Sequence, residues 1–318
     1  MTFLSILFAL LAEQLQPLRA DNSVYAAIKG FGMRMEGWCN AGRARDGRLA
    51  WLLMIAALML PTLLVYWLCG RGGPILVLAW NVTILYLTLG FRHYSHHFTS
   101  IQLALNAGDE ATARQLLAQW TKTDTAGMDG ADVARIAVEQ AMVTTHRNVF
   151  GVFFWFLMPL GPACAVMYRV AEYLARAWNT PGHGTPNVFG AFAARAFYWI
   201  DWIPARLTAI AFAIVGNFED AIYAWRNFAA RWQDEAVGII LSAGSGAIGV
   251  RLGSAGQTTA DGVAGDPAGL GADSLEADGP VGEEATARAL QSTVGLVWRA
   301  LLLWMLLLLL LSLAVWLG

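Results

Sequence analysis

Charge is scarce in this chain: 14% of its 318 residues are Asp, Glu, Lys or Arg, the formal net charge is -2, and Lys29 and Lys122 are the only lysines. So weak a field, with a pI near 6.2, gives a nucleic-acid backbone nothing to hold, and nucleic acid is excluded as a partner. Cysteine is scarcer still. Cys39, Cys69 and Cys164 stand far apart with no CxxC pair, so they read as ordinary small core or lipid-facing residues. No GxxxxGK loop, GxSxG elbow or HExxH pair occurs, so motif logic alone names no reaction. The other cations are all arginine; that suits bidentate anion binding, although GC-rich codon usage is the simpler explanation.

What the chain has in excess is apolar surface. Hydrophobic residues make up 57% of it and the mean hydropathy is +0.49, well beyond what a water-soluble domain carries. Lipid must cover part of it. The apolar runs are continuous rather than alternating, which selects helices over a closed barrel. The expected fold is therefore all-α, a polytopic helical membrane protein with a cytoplasmic amphipathic helical subdomain. A span needs roughly 20 apolar residues, and five candidates run from about Leu49 to Cys69, Pro74 to Phe91, Val149 to Val170, Ala196 to Gly216 and Val294 to Leu317. Pro159 and Pro162 remove backbone donors from the third and must bend or break it. The apolar start, MTFLSILFALLAEQ, has no basic n-region and no small-residue cleavage site. It should stay attached as a partial or re-entrant helix ending on Glu13.

Basic residues counted between these stretches alternate six, one, five, two, four and none, which places the long loops in the cytoplasm of a bacterial inner membrane. The expected layout is an N-terminal apolar helix and cytoplasmic segment over 1–48, a transmembrane hairpin over 49–91 and the cytoplasmic subdomain over 92–148. A membrane core with broken helices follows over 149–250, then a flexible acidic linker over 251–293 and a last span over 294–318. Within the subdomain, Leu116, Leu117 and Trp120, then Val133, Ile136, Ala137 and Ala141, fall at helical spacing, enough for two or three amphipathic helices. Residues 252 to about 287 are Gly-, Ala-, Ser- and Asp-rich without an aromatic residue, the composition of a tether.

Several polar groups invite a chemical reading. FRHYSHHF carries Arg92, His93, His96 and His97, with His93 and His97 four apart on one helix face, a spacing that suits a transition metal. No cysteine or second cluster accompanies them, so interfacial histidines without a metal are expected. Asp201 and Arg206 fall inside an apolar stretch, where ionisable side chains are costly enough to imply a role. They are expected to approach each other or a shared cavity, as a structural ion pair or as a ligand-binding pair. Glu139, Arg147 and Asn148 close the helical subdomain before the third stretch, as an anion site or a solvated face, while Glu172 and Arg195 read as interfacial.

Four strings carry a family resemblance: LGFRHYSHHFTSIQLALNAGDEATARQLL, TDTAGMDGADVARIAVEQA, GVFFWFLMPLGPACAVMYR and FAARAFYWIDWIPARLTA. In order and spacing, across about Met1 to Gly238, the chain resembles the CobD/CbiB and AmpE superfamily of bacterial inner-membrane proteins. For the CobD/CbiB branch the resemblance implies a synthase that joins adenosylcobyric acid to an aminopropanol or its phosphate, with magnesium and ATP as its cofactors. Arg92, His96, Asp124, Thr125, Glu139, Arg195, Pro204 and Arg206 agree with that branch. Elsewhere the chain departs from it: Arg147 and Asn148 stand for an Asp-Gly pair, Ala175 for an Asp, and Phe197 and Tyr198 for an Asp pair. Those acids are the expected metal ligands. Arg147, the stretch from Leu174 to Pro181 and the Asp201–Trp202 pair look instead like the AmpE branch, which is linked with beta-lactamase induction.

The expected function is thus a catalytically diverged ligand-binding or signalling modulator, with the synthase as alternative. A small-molecule transporter built on the Pro-broken third stretch is a third reading. Expected partners are the lipid bilayer and a small molecule whose identity the residues leave open, as they do a homo-oligomer. Candidate ligand-binding residues are Glu13, Arg92, His96, Asp124, Glu139, Arg147, Arg195, Asp201 and Arg206.

Overall fold

The structure is a computed structural model that describes residues 2–15, 23–39, 43–179, 188–253 and 282–317. Helices follow in the order α1 (Thr2–Leu15), α2 (Ser23–Cys39), α3 (Ala44–Gly72), α4 (Pro74–Thr88), α5 (Phe91–Asn106), α6 (Glu110–Thr121) and α7 (Gly130–Thr145). After a π-helical turn over His146–Phe150 come α8 (Gly151–Phe156), α9 (Pro162–Ala177), α10 (Val188–Val215), α11 (Phe218–Phe228), α12 (Glu235–Ile248) and α13 (Ala287–Leu317). Among the described residues the extended pairing amounts to an isolated bridge between Val250 and Glu283. The fold is all-α, as the continuous apolar runs require.

Three 28-residue stretches, Arg45–Gly72, Val188–Val215 and Ala287–Ala314, are long and apolar enough to cross a membrane. Their outer faces are apolar: Leu52, Leu53, Leu60, Leu64 and Leu68 are exposed on α3, Trp199, Trp202, Ile203, Ile210 and Ile214 on α10, and Leu302, Leu306, Leu307, Leu310 and Leu311 on α13. Apolar faces this extensive have no place in water. The chain is a membrane protein.

Two expected spans differ. The second does not run to Phe91, because α4 ends after 15 residues at Thr88. There the Thr88 hydroxyl donates back to the Ile84 carbonyl at 2.9 Å, and Leu89 turns to φ -72, ψ 157, so α5 starts as a separate helix. At that length α4 falls short of the roughly 20 residues of a span. The third expected span is split: α8 gives way at Leu157, Gly161 sits at φ 51, and Pro162 opens α9 at its first turn. The positive φ of Gly161, with ψ -115, suits a residue without Cβ, and proline is tolerated at a helix start where its missing N–H has no partner to lose. The last helix also begins earlier than expected, at Ala287 rather than Val294.

The described residues form two compact units, and α10 and α13 contribute to both. The first lies within Met1–His93, Thr145–Pro204 and Met305–Gly318. In it α3 packs on α2, α4 and α9, and α1 packs on α4. Side chains pin these contacts: the Trp80 indole donates to the Thr62 carbonyl at 3.3 Å, and the Tyr25 hydroxyl to the Leu87 carbonyl at 2.7 Å.

The second unit lies within Tyr94–Thr144 and Ala205–Trp304. Here α6 is capped by Asp109, which accepts from the Thr112 amide, and α7 is preceded by Asp129, which accepts from the Asp132 amide. Leu117, Val133, Ala137 and Ala141 are buried as their spacing predicts. Residues 254–281, most of the expected tether, lie outside the described residues. Its flanks are tied: the Arg251 amide donates to the Glu283 carbonyl at 2.8 Å, and the Glu283 amide to the Gly249 carbonyl at 2.9 Å.

Glu139 adds to this clasp by accepting from the Gly253 amide at 2.8 Å and from Arg135 at 3.3 Å. Burial raises its carboxyl above the ordinary value, opposed by the Gly253 amide and the Arg135 guanidinium. A carboxyl raised on folding adds stability that is full below its unfolded pKa and is lost as pH rises through the folded one. The wild type is therefore expected to gain stability over Glu139→Gln as pH falls from neutral toward about 4, the ordinary carboxylate range. Thermal unfolding of both proteins across that window checks it; a pH-independent difference refutes it.

Candidate functional site: a buried polar centre in the first unit

Where α7 passes into α8 the helix widens by one residue per turn over His146–Phe150. Such π-turns are rare and recur at functional sites, because they re-aim side chains that a regular helix would hold in line. The widening falls beside a buried polar network. Asp201 on α10 is 2% exposed; its Oδ1 accepts from the Tyr168 hydroxyl of α9 at 2.8 Å and lies 2.9 Å from His146 Nε2. His146 and Tyr168 are both fully buried. A carboxylate inside an apolar helix is tolerable only with such partners.

Two guanidinium groups border this network. Arg147 lies within electrostatic reach of Asp201 and places its guanidinium 5.8 Å from the Phe197 ring centre. Arg169, the residue after Tyr168 on α9, donates to Asn148 Oδ1 at 2.6 Å and to the Arg147 carbonyl at 3.5 Å. Glu172, buried on α9, sits between Arg169 at 3.7 Å and Arg176 at 3.4 Å. Three arginines against two carboxylates leave a net positive centre, and the forked donors suit a carboxylate or phosphate group.

The expected pairing of Asp201 with Arg206 is not made. Asp201 turns to His146 and Tyr168, whereas Arg206 pairs with Glu235 at the start of α12. Five residues apart on a helix, the two side chains point well away from each other, and each meets a different neighbour. Of the other candidates, Glu13 is buried in α1, Arg195 is exposed on α10 and His96 is exposed on α5. Asp124 closes its own loop by accepting from the Ala126 amide at 3.0 Å. His97 stacks on Trp120, with ring centres 6.3 Å apart. The side chains of Arg92 and His93 lie outside the described residues.

Sequence reasoning missed His146 and Tyr168. Each stands next to an arginine in the chain, at His146–Arg147 and Tyr168–Arg169, but neither forms a spacing motif with Asp201. The link is purely tertiary.

Fold and centre define a class: an all-α membrane protein with an arginine-bordered, buried His–Asp–Tyr network. Residues 22–292 match a family model described as CobD/Cbib protein. The cobalamin biosynthesis protein CobD of Chromobacterium violaceum is 35% identical over 206 residues, or 65% of either chain; the match thus spans just under two thirds of that relative. That of Stutzerimonas stutzeri is 34% identical over 259 residues, covering 80% of this chain and 82% of its own. That of Mycobacterium tuberculosis is 30% identical over 220 residues, covering 66% and 68%. No solved structure matches. The chain belongs to the CobD/CbiB family. This corrects the expectation of a diverged signalling modulator: the relatives are cobalamin biosynthesis proteins by name, and the match runs through the positions where acids were missing.

Proposed function

We propose that this protein is a membrane-bound, amide-forming synthase of cobalamin biosynthesis that joins adenosylcobyric acid to an aminopropanol or its phosphate. The observation that carries this reading is the match to a cobalamin biosynthesis protein over 80% of the chain. The arginine-bordered centre supports it, since adenosylcobyric acid brings a carboxylate, and the aminopropanol phosphate a phosphate, that guanidinium forks bind well. Arg147 and Arg169 hold and orient such a group, while His146, Asp201 and Tyr168 keep the backbone around Arg147 in place.

Forming an amide from a free carboxylate needs activation, which ATP with magnesium supplies in the family reading. Among the described residues, the carboxylates of this centre do not fit a magnesium seat. No group of three His, Cys, Asp or Glu gathers among the described residues. Asp201 is taken by His146 and Tyr168, and Glu172 is flanked by arginines. No step is therefore routed through the metal.

Purified full-length protein in detergent, given adenosylcobyric acid, aminopropanol or its phosphate, ATP and magnesium, is expected to yield the amide. Arg169→Ala should lower kcat/KM roughly 10- to 100-fold, the worth of one charge-assisted hydrogen bond. Arg169→Lys should not restore it, because an ammonium lacks the fork. Folded wild-type protein that forms no amide with either acceptor would sink the reading.

The same proposal places the chain as a multi-pass protein in a bacterial inner membrane, with α5–α7 as a cytoplasmic subdomain. The alternating count of basic residues supports this. Reporter fusions within α2 and at the turn around Arg71 are expected to report opposite sides, since α3 between them is long and apolar enough to cross.

A further inference from the structure

Helix α2 belongs to the first unit, and the synthase reading makes no use of it. Its inner side is held by three contacts: it packs on α3, its Tyr25 hydroxyl donates to the Leu87 carbonyl at the end of α4, and its Lys29 carbonyl accepts from Tyr173 near the end of α9 at 3.4 Å. Met35 is buried, and Gly32 lies against the Tyr173 ring. These anchors place α2 across the end of the unit where α3 begins, where α4 and α9 finish, and where the apolar stretch from Arg45 starts. Only residues 40–43 separate α2 from α3, so its C-terminal end stays within about 17 Å of the mouth of that stretch.

The outer side of α2 is unusual for a surface facing plain water. Met33 is 64% exposed and Trp38 76% exposed, with Ala26 and Gly37 between them on the outward arc. Exposed Lys29 borders that arc, and exposed Arg34 lies within it between Gly37 and Trp38. The next turn of chain adds exposed Arg43, Arg45 and Arg48, so five cations face Glu36 and Asp46 across this end. Exposed apolar residues interspersed with cations, with a tryptophan at the rim, are the composition of a helix lying in the headgroup layer of a bilayer.

We propose that the outer face of α2, with the arginines that open α3, is a docking surface for anionic phospholipid. Met33 and Trp38 enter the acyl boundary, and Lys29, Arg34 and Arg43 meet headgroup phosphates. The charge balance selects anionic over zwitterionic lipid, because only an anionic leaflet gains attraction from each added cation. The inference rests on the protein being in a membrane and not on its reaction.

The test uses full-length protein in nanodiscs of phosphatidylcholine alone or of phosphatidylcholine with phosphatidylglycerol, reading amide hydrogen exchange across α2. Phosphatidylglycerol is expected to slow exchange several-fold in α2 while leaving α7 unchanged, and high salt should reverse part of the effect. The double variant Lys29→Gln, Arg34→Gln, which keeps side-chain length without charge, should lose most of that slowing. Equal exchange in both lipids overturns the proposal. So does slowing that survives the double variant, which would mean apolar docking alone, or slowing that depends on protein concentration in detergent, which would mean a second copy covers the face.

Discussion

Asp201→Ala is expected to be the most damaging substitution in the first unit. The change leaves His146 and the Tyr168 hydroxyl fully buried without their shared acceptor. Breaking a buried, hydrogen-bonded charge network by removing one member costs about 3–5 kcal/mol, enough to consume much of the stability of an ordinary domain. Asp201→Asn should be milder, since its carbonyl still accepts from Tyr168 but offers His146 no charge. Thermal unfolding in detergent and the yield of monodisperse protein would rank the two. If alanine is tolerated as well as asparagine, the network does not hold the centre together. If both keep full stability yet lose amide formation, Asp201 acts on substrate and not on structure.

The outcome bears on how intramembrane charge should be read. From the sequence, Asp201 and Arg206 looked like partners because they share one apolar stretch. Local spacing carries information along a helix, but it says nothing of which neighbouring helix faces each side chain. Asp201 found α9 and the π-turn, and Arg206 found Glu235. The same limit hid His146 and Tyr168, whose significance comes from residues 55 and 33 positions away.

What depends on period and composition was legible. The three long apolar helices, the break before Pro162 and the helical spacing of Leu117, Val133 and Ala137 all follow from side chains within a few turns of each other. The extent of α4 was not, because a serial apolar run does not reveal that Thr88 turns back and Leu89 leaves the helix. The functional expectation failed for a different reason. Missing carboxylates were weighed as missing catalysis, although in the synthase reading proposed above Arg147 and Arg169, joined through the Arg147 carbonyl and Asn148, hold an anionic group instead.

Gly151→Ala is expected to rank next, and it probes the centre without removing a polar atom. Gly151 opens α8 directly after the π-turn, and a Cβ built there would lie 2.6 Å from Cε1 of Tyr168 and closer still to its hydroxyl end. That end of the ring is tied to Asp201, so it has no free direction in which to yield. Either α8 shifts away from α9 or Tyr168 swings off the carboxylate. Overpacking of this kind costs about 1–3 kcal/mol, and losing a buried hydrogen bond adds about 1–3 kcal/mol. Tyr168→Leu, shorter by the clashing atoms, should be destabilising alone but should cost much less once Gly151 is already alanine. A double-mutant cycle on unfolding free energy would show this as strong coupling between the two sites. Strict additivity would mean that α8 moves as a body, and the glycine would then serve only helix packing.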